Sequence, residues 1–157
     1  MTESGSTALR PLQEQIEQAN ASGRTPVVFI HGLWLLASSW DRWAEHFGQA
    51  GYAPVSPGWP DDPDTVEEAI ADPEAFADKT IGQVADHYSG VIGQLSRKPA
   101  VIGHSFGGLL AEIIAGRGLA AVTVAIDAAP SRSYRSPRCA RPRPCSATRP
   151  IGTARSR

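Results

Sequence analysis

The stretch Val101-Ile102-Gly103-His104-Ser105-Phe106-Gly107-Gly108 constrains this chain more than any other. An apolar run, Pro99 to Ile102, leads into Gly-x-Ser-x-Gly. Beyond it Phe106, Leu109, Leu110, Ile113 and Ile114 recur at i, i+3, i+4, i+7 and i+8, the apolar face of a helix. The pattern predicts a buried strand, a tight corner and a helix, with Ser105 at the corner. Glycines on both sides of the serine relieve its crowding. The helix N-terminus behind it favours developing negative charge. A hydroxyl lifted off a sheet edge in this way is a candidate nucleophile; the alternative is an ordinary glycine-rich strand-to-helix turn.

The rest of the chain alternates short apolar runs with helical periods. Pro26 to Ile30 is β-branched and fully apolar, as a strand buried on both faces requires. Residues 53–56, 99–103 and 121–126 are the other predicted strands, with Asp127 at the end of the last. Leu9, Leu12 and Ile16 mark a short helix ending near Asn20 to Gly23. Ser38 or Ser39 is placed to cap a helix whose buried face is Trp40, Trp43 and Phe47 and which Gly51 stops. Thr65 with Glu68 forms a capping box, and Asp72-Pro73 starts a second short surface helix. The acidic residues of 61–79 read as a solvated face, or else as the rim of a site entrance. Ile81, Val84, Tyr88, Val91, Ile92 and Leu95 mark a long amphipathic helix with Asp86 and His87 toward its polar side. Strand–helix repeats of this kind predict an α/β fold: a doubly wound, mostly parallel sheet with flanking helices.

At 157 residues the chain suits one domain. No apolar run approaches the roughly 18 residues of a membrane span, so no membrane partner is expected. The N-terminus lacks a charged-then-apolar signal pattern, which predicts a cytoplasmic protein. The net charge of −1 averages two unlike pieces. Residues 1–130 hold seven Lys/Arg against all 16 acids, whereas residues 131–157 hold eight Arg and no acid. From Ser131 the hydrophobic patterning stops, and Ile151 is the only aliphatic residue larger than Ala. Such a segment cannot bury a core and is expected to be disordered. It reads either as a basic tail or, preferably, as the product of a frameshift. GC-rich codons can be chosen for it that encode an apolar, turn-punctuated continuation when read two bases later. No nucleic-acid partner is therefore expected. Cys139 and Cys145 both lie in this tail, with no His beside them to suggest a metal site.

With the strand before and the helix after, residues 99–114 resemble the nucleophile elbow of the α/β-hydrolase fold family, and His31-Gly32 after the first strand resembles its oxyanion loop. The resemblance covers about residues 25–130, the N-terminal part of the family's catalytic domain. Residues 1–24 then form a helical or flexible lead, and the sheet is truncated after the strand that follows the nucleophile helix. The resemblance implies acyl transfer through Ser105, with backbone N–H donors at Leu33 (or Trp34) and Phe106. It implies a pocket near His31, Gly32, Trp34 and His104, with His31 bracing its turn rather than serving as base. Asp127 matches a position some members use for the catalytic acid.

The implied substrate is a small molecule bearing an ester, thioester or related acyl group, with no metal or organic cofactor. A serine at the elbow argues against the carboxylate-nucleophile chemistry of dehalogenases and epoxide hydrolases; cofactor-free peroxidase-like chemistry shares the elbow. The family's order is serine, acid, then a late histidine. Here His31, His46, His87 and His104 all precede Ser105. Impaired activity is therefore expected, and the alternative is an inactive fragment or a non-catalytic binding module of the same fold.

Overall fold

The computed structural model describes residues 10–130. Helix α1 (Leu12–Ser22) ends where Gly23 turns left-handed at φ 65° and the chain enters strand β1 (Pro26–Ile30). A 3-10 turn (Ala37–Trp40) runs into helix α2 (Asp41–Gln49), which leads to strand β2 (Ala53–Val55). Helix α3 (Val66–Ala71) and a 3-10 turn (Pro73–Phe76) are the two short surface elements expected in the acidic stretch. Helix α4 (Ile81–Gly93), strand β3 (Ala100–His104), helix α5 (Phe106–Gly116) and strand β4 (Val122–Ile126) complete the order. Thr65 and Glu68 close the expected capping box. The readings for residues 1–9 and for the tail from Ser131 lie outside the described residues.

All strand pairs are parallel, in the order β2-β1-β3-β4. Side chains alternate across the sheet and feed two cores. Val28, Ile30, Val55 and Val101 pack with Ile16 of α1, Tyr88 of α4 and Ile114 of α5 on one face. Val27, Phe29 and Ile102 pack with Trp40 and Ala44 on the other. Helices therefore cover both faces, which is the doubly wound arrangement.

Three local readings are corrected. Neither Ser38 nor Ser39 caps α2: a 3-10 turn precedes it, so Trp40 occupies the cap position with no side-chain bond. That turn also places Trp43 46% exposed, while Trp40 is buried. His87 is not a free surface residue, because its Nε2 lies 3.1 Å from the Gly58 carbonyl and ties α4 to the loop after β2. Asp86, by contrast, is exposed and pairs with Arg117 at 2.8 Å. Strand β4 has the apolar sequence of a buried strand, but Val122 and Val124 are 60% and 43% exposed among the described residues.

Candidate active site

The chain leaves β1 toward β2 on one side and continues from β3 toward β4 on the other. Between the carboxyl ends of β1 and β3, strand order reverses, and open α/β sheets bind ligands in such a crevice. Ile30 pairs with Gly103, so His31-Gly32 and His104-Ser105 leave the sheet side by side. A Cβ on Gly32 would sit 3.2 Å from the Ser105 Cβ and 3.3 Å from the His104 carbonyl. A side chain at position 32 would crowd both, so glycine eases this close approach.

Ser105 holds φ 57° and ψ −121° between β3 and α5. A positive φ in a non-glycine residue costs on the order of 1–3 kcal/mol and persists only when its surroundings impose it. Here they do. The Ser105 N–H donates to the Ile126 carbonyl at 2.9 Å, and its own carbonyl accepts from Gly108, Leu109 and Ala129. A methyl group on Gly107 would meet the carbonyls of Ile30 and His31, and one on Gly103 would meet the Gly107 backbone. The Ser105 side chain caps no helix N–H. Its hydroxyl is left for other partners.

The two backbone N–H groups expected as donors are those of Phe106 and Leu33. Phe106 is the first residue of α5, so its N–H has no intrahelical acceptor. Leu33 lies inside a turn closed by the Leu35 N–H on the Gly32 carbonyl at 3.3 Å, which leaves the Leu33 N–H outside that bond. Trp34 takes φ 65° in the same turn. Trp34, Ser105 and Asp127 are three of the five non-glycine residues with positive φ among the described residues, and all three follow carboxyl ends of strands.

A cavity of about 240 Å³ opens beside the serine corner, lined by His31, Gly32, Leu35, Trp40, Trp43, His104 and Ile126 among others. Trp34 is not part of the wall; it is 71% exposed and meets Phe76 edge-on at 6.1 Å. Trp40 and Trp43 take the place expected of it, because the 3-10 turn carries them back over the sheet end. The Trp40 Nε1 is buried and has no partner among the described residues.

Sequence reasoning missed Asp62. The acidic stretch reads as solvated, yet the Asp62 side chain is 4% exposed. Its Oδ2 lies 3.3 Å from His31 Nε2 and accepts the Trp59 N–H at 3.0 Å. No spacing in the sequence signals this contact, since the fold alone joins two residues from different loops. Asp127 stands one residue beyond the His104–Ile126 pair, next to the serine corner, and is exposed. Among the described residues no histidine pairs with it, and none hydrogen-bonds Ser105. No cluster of metal-ligating side chains occurs among the described residues, and no helix there is long and apolar enough to cross a membrane.

The model of the alpha/beta hydrolase family matches residues 27–156, running past Pro130 into the basic segment. Among solved structures, an extracellular alpha/beta-hydrolase from a Paenibacillus species, described as sharing structural and functional homology with tobacco salicylic acid binding protein 2, is 25% identical. It aligns over 68% of this chain and 42% of its own, with a TM-score of 0.52. The thioesterase domain from the curacin biosynthetic pathway is 20% identical over 72% of this chain and 41% of its own, at a TM-score of 0.54. Polyneuridine aldehyde esterase is 21% identical over 69% of this chain and 42% of its own, at 0.50. The last two bear on the fold alone. The chain spans about two fifths of the length of these structures. No curated protein matches it.

Proposed function

Because this chain belongs to the α/β-hydrolase family, we propose that it carries the nucleophile and oxyanion half of an acyl-transfer site. Ser105 attacks the carbonyl carbon of an ester, thioester or related small acyl substrate. The carbonyl oxygen takes up the charge and is met by the N–H groups of Leu33 and Phe106. Losing one such donor typically raises the barrier by about 3 kcal/mol. The cavity walled by Trp40 and Trp43 receives an apolar part of the substrate. The observation that carries this reading is the Ser105 backbone, held at φ 57° beside the first N–H groups of α5 with its hydroxyl uncommitted.

A serine hydroxyl needs a base to take its proton as the bond to carbon forms. The four histidines precede Ser105 in the sequence, and among the described residues none bonds its hydroxyl. Asp127, exposed at the end of β4, is the residue we assign to hold such a base, and among the described residues no histidine pairs with it. This favours slow turnover by the chain as it stands. It equally favours a second reading, a non-catalytic module that keeps the corner as architecture. Turnover of p-nitrophenyl esters by the purified chain and by Ser105→Ala separates the two. A slow rate that disappears in the variant supports the hydrolase reading, and equal feeble rates support the module.

A further inference from the structure

We propose that Asp62 is a positioning residue for the Gly32–Leu35 turn, acting through a His31 ring that carries a proton on both nitrogens. The His31 side chain is 1% exposed and that of Asp62 is 4% exposed. His31 Nδ1 lies 3.0 Å from the Gly32 carbonyl oxygen. A carbonyl only accepts, so Nδ1 bears hydrogen. Nε2 then faces Asp62 Oδ2 at 3.3 Å, and an ionised carboxylate also only accepts. An unprotonated Nε2 would set one lone pair against another where little water can intervene. A second ring proton turns that repulsion into attraction. The contact is off a hydrogen-bond line, so it acts as an ion pair rather than a directed bond.

The surroundings fit this charge. The Trp59 ring stacks on His31 with centroids 5.8 Å apart and planes 23° from parallel. An indole face attracts a cation within about 6 Å. Trp59 also donates its backbone N–H to Asp62 Oδ2 at 3.0 Å. Lys79 Nζ stands farther off, 4.0 Å from Asp62 Oδ1, and is hydrogen-bonded to the Ala75 carbonyl. Burial, and then the Asp62 charge, push the Tyr88 hydroxyl well above its ordinary range, so Tyr88 adds no charge. His104 faces the same cavity from β3 and makes no ion pair among the described residues.

The consequence reaches the serine. The Gly32 carbonyl that His31 grips also accepts the Leu35 N–H, closing the turn that contains Leu33. Asp62 therefore holds the ring, the ring holds the carbonyl, and the carbonyl fixes the turn. The proton count stands on this geometry alone; its bearing on acyl transfer rests on the donor role proposed for Leu33.

The test is long-range ¹H–¹⁵N correlation on the full chain labelled at histidine, at neutral pH. His31 should give the doubly protonated pattern. In Asp62→Asn, whose amide can donate to a bare Nε2, His31 should lose one proton. Amide exchange at Leu35, whose N–H closes the turn on the Gly32 carbonyl, should quicken about tenfold or more in that variant, the loss of one charge-assisted contact, while Val101 in β3 is unchanged. A singly protonated His31 in the unaltered chain overturns the proposal. So does an Asp62→Asn variant with His31 still doubly protonated or Leu35 exchange unmoved. None of these readouts needs activity, so failure of the Ser105 reading is seen separately, in the ester assay.

Discussion

Gly103 faces the Gly107 carbonyl across the strand-to-helix corner with no room for a Cβ between them. The two glycines are thus a steric condition for bringing Ser105 to the sheet end. Gly103→Ala should cost at least about 3 kcal/mol of stability or abolish folding, since a packed backbone cannot yield as a side chain can. A methyl group on Gly90, within α4, would meet no heavy atom within 4 Å beyond its own helix. Gly90→Ala should stabilise the chain by about 0.5–1 kcal/mol. Urea unfolding of both variants checks the contrast.

Tyr88 is fully buried, and its hydroxyl donates to the Pro57 carbonyl at 3.0 Å. Tyr88→Phe keeps the ring and strands that carbonyl. The expected loss is about 1–3 kcal/mol, the penalty for a buried acceptor without a donor. Equilibrium denaturation measures it, and a neutral result would mean the loop after β2 is held mainly by His87.

Burial raises the Asp41 carboxyl above its ordinary value. The folded state then disfavours the charged form more than the unfolded chain does. The cost of ionised Asp41 sets in as pH rises through the unfolded value, is complete above the folded one, and is absent where both states are protonated. Asp41→Asn should therefore raise the melting temperature at neutral pH, with the gain shrinking to nothing in acid. Paired thermal melts across that range test the sign.

Much of this was legible in the sequence because it is local. β-Branched apolar runs announce strands buried on two faces, and β1 and β3 fall where those runs lie. The Gly-x-Ser-x-Gly corner carries its own steric requirement, so Ser105 was legible from five residues. The α2 cap was not. A serine before a helix suits either a cap or a 3-10 turn, and packing of Trp40 under Phe29 selects the turn here. Asp62 was hidden for a different reason. Its partners, His31 and Trp59, stack on each other only after β1 and β2 pair, and an acidic stretch otherwise reads as solvated.

The central claim, that Ser105 is the nucleophile, is tested most directly by mass analysis of the chain incubated with p-nitrophenyl acetate and then digested. Attack by Ser105 should leave one acetyl group on the peptide that contains it. With no histidine bonded to Ser105 among the described residues, that adduct should turn over slowly enough to be isolated, and Ser105→Ala should not acquire it. An unmodified Ser105 peptide, or the same acetylation in Ser105→Ala, would contradict the account.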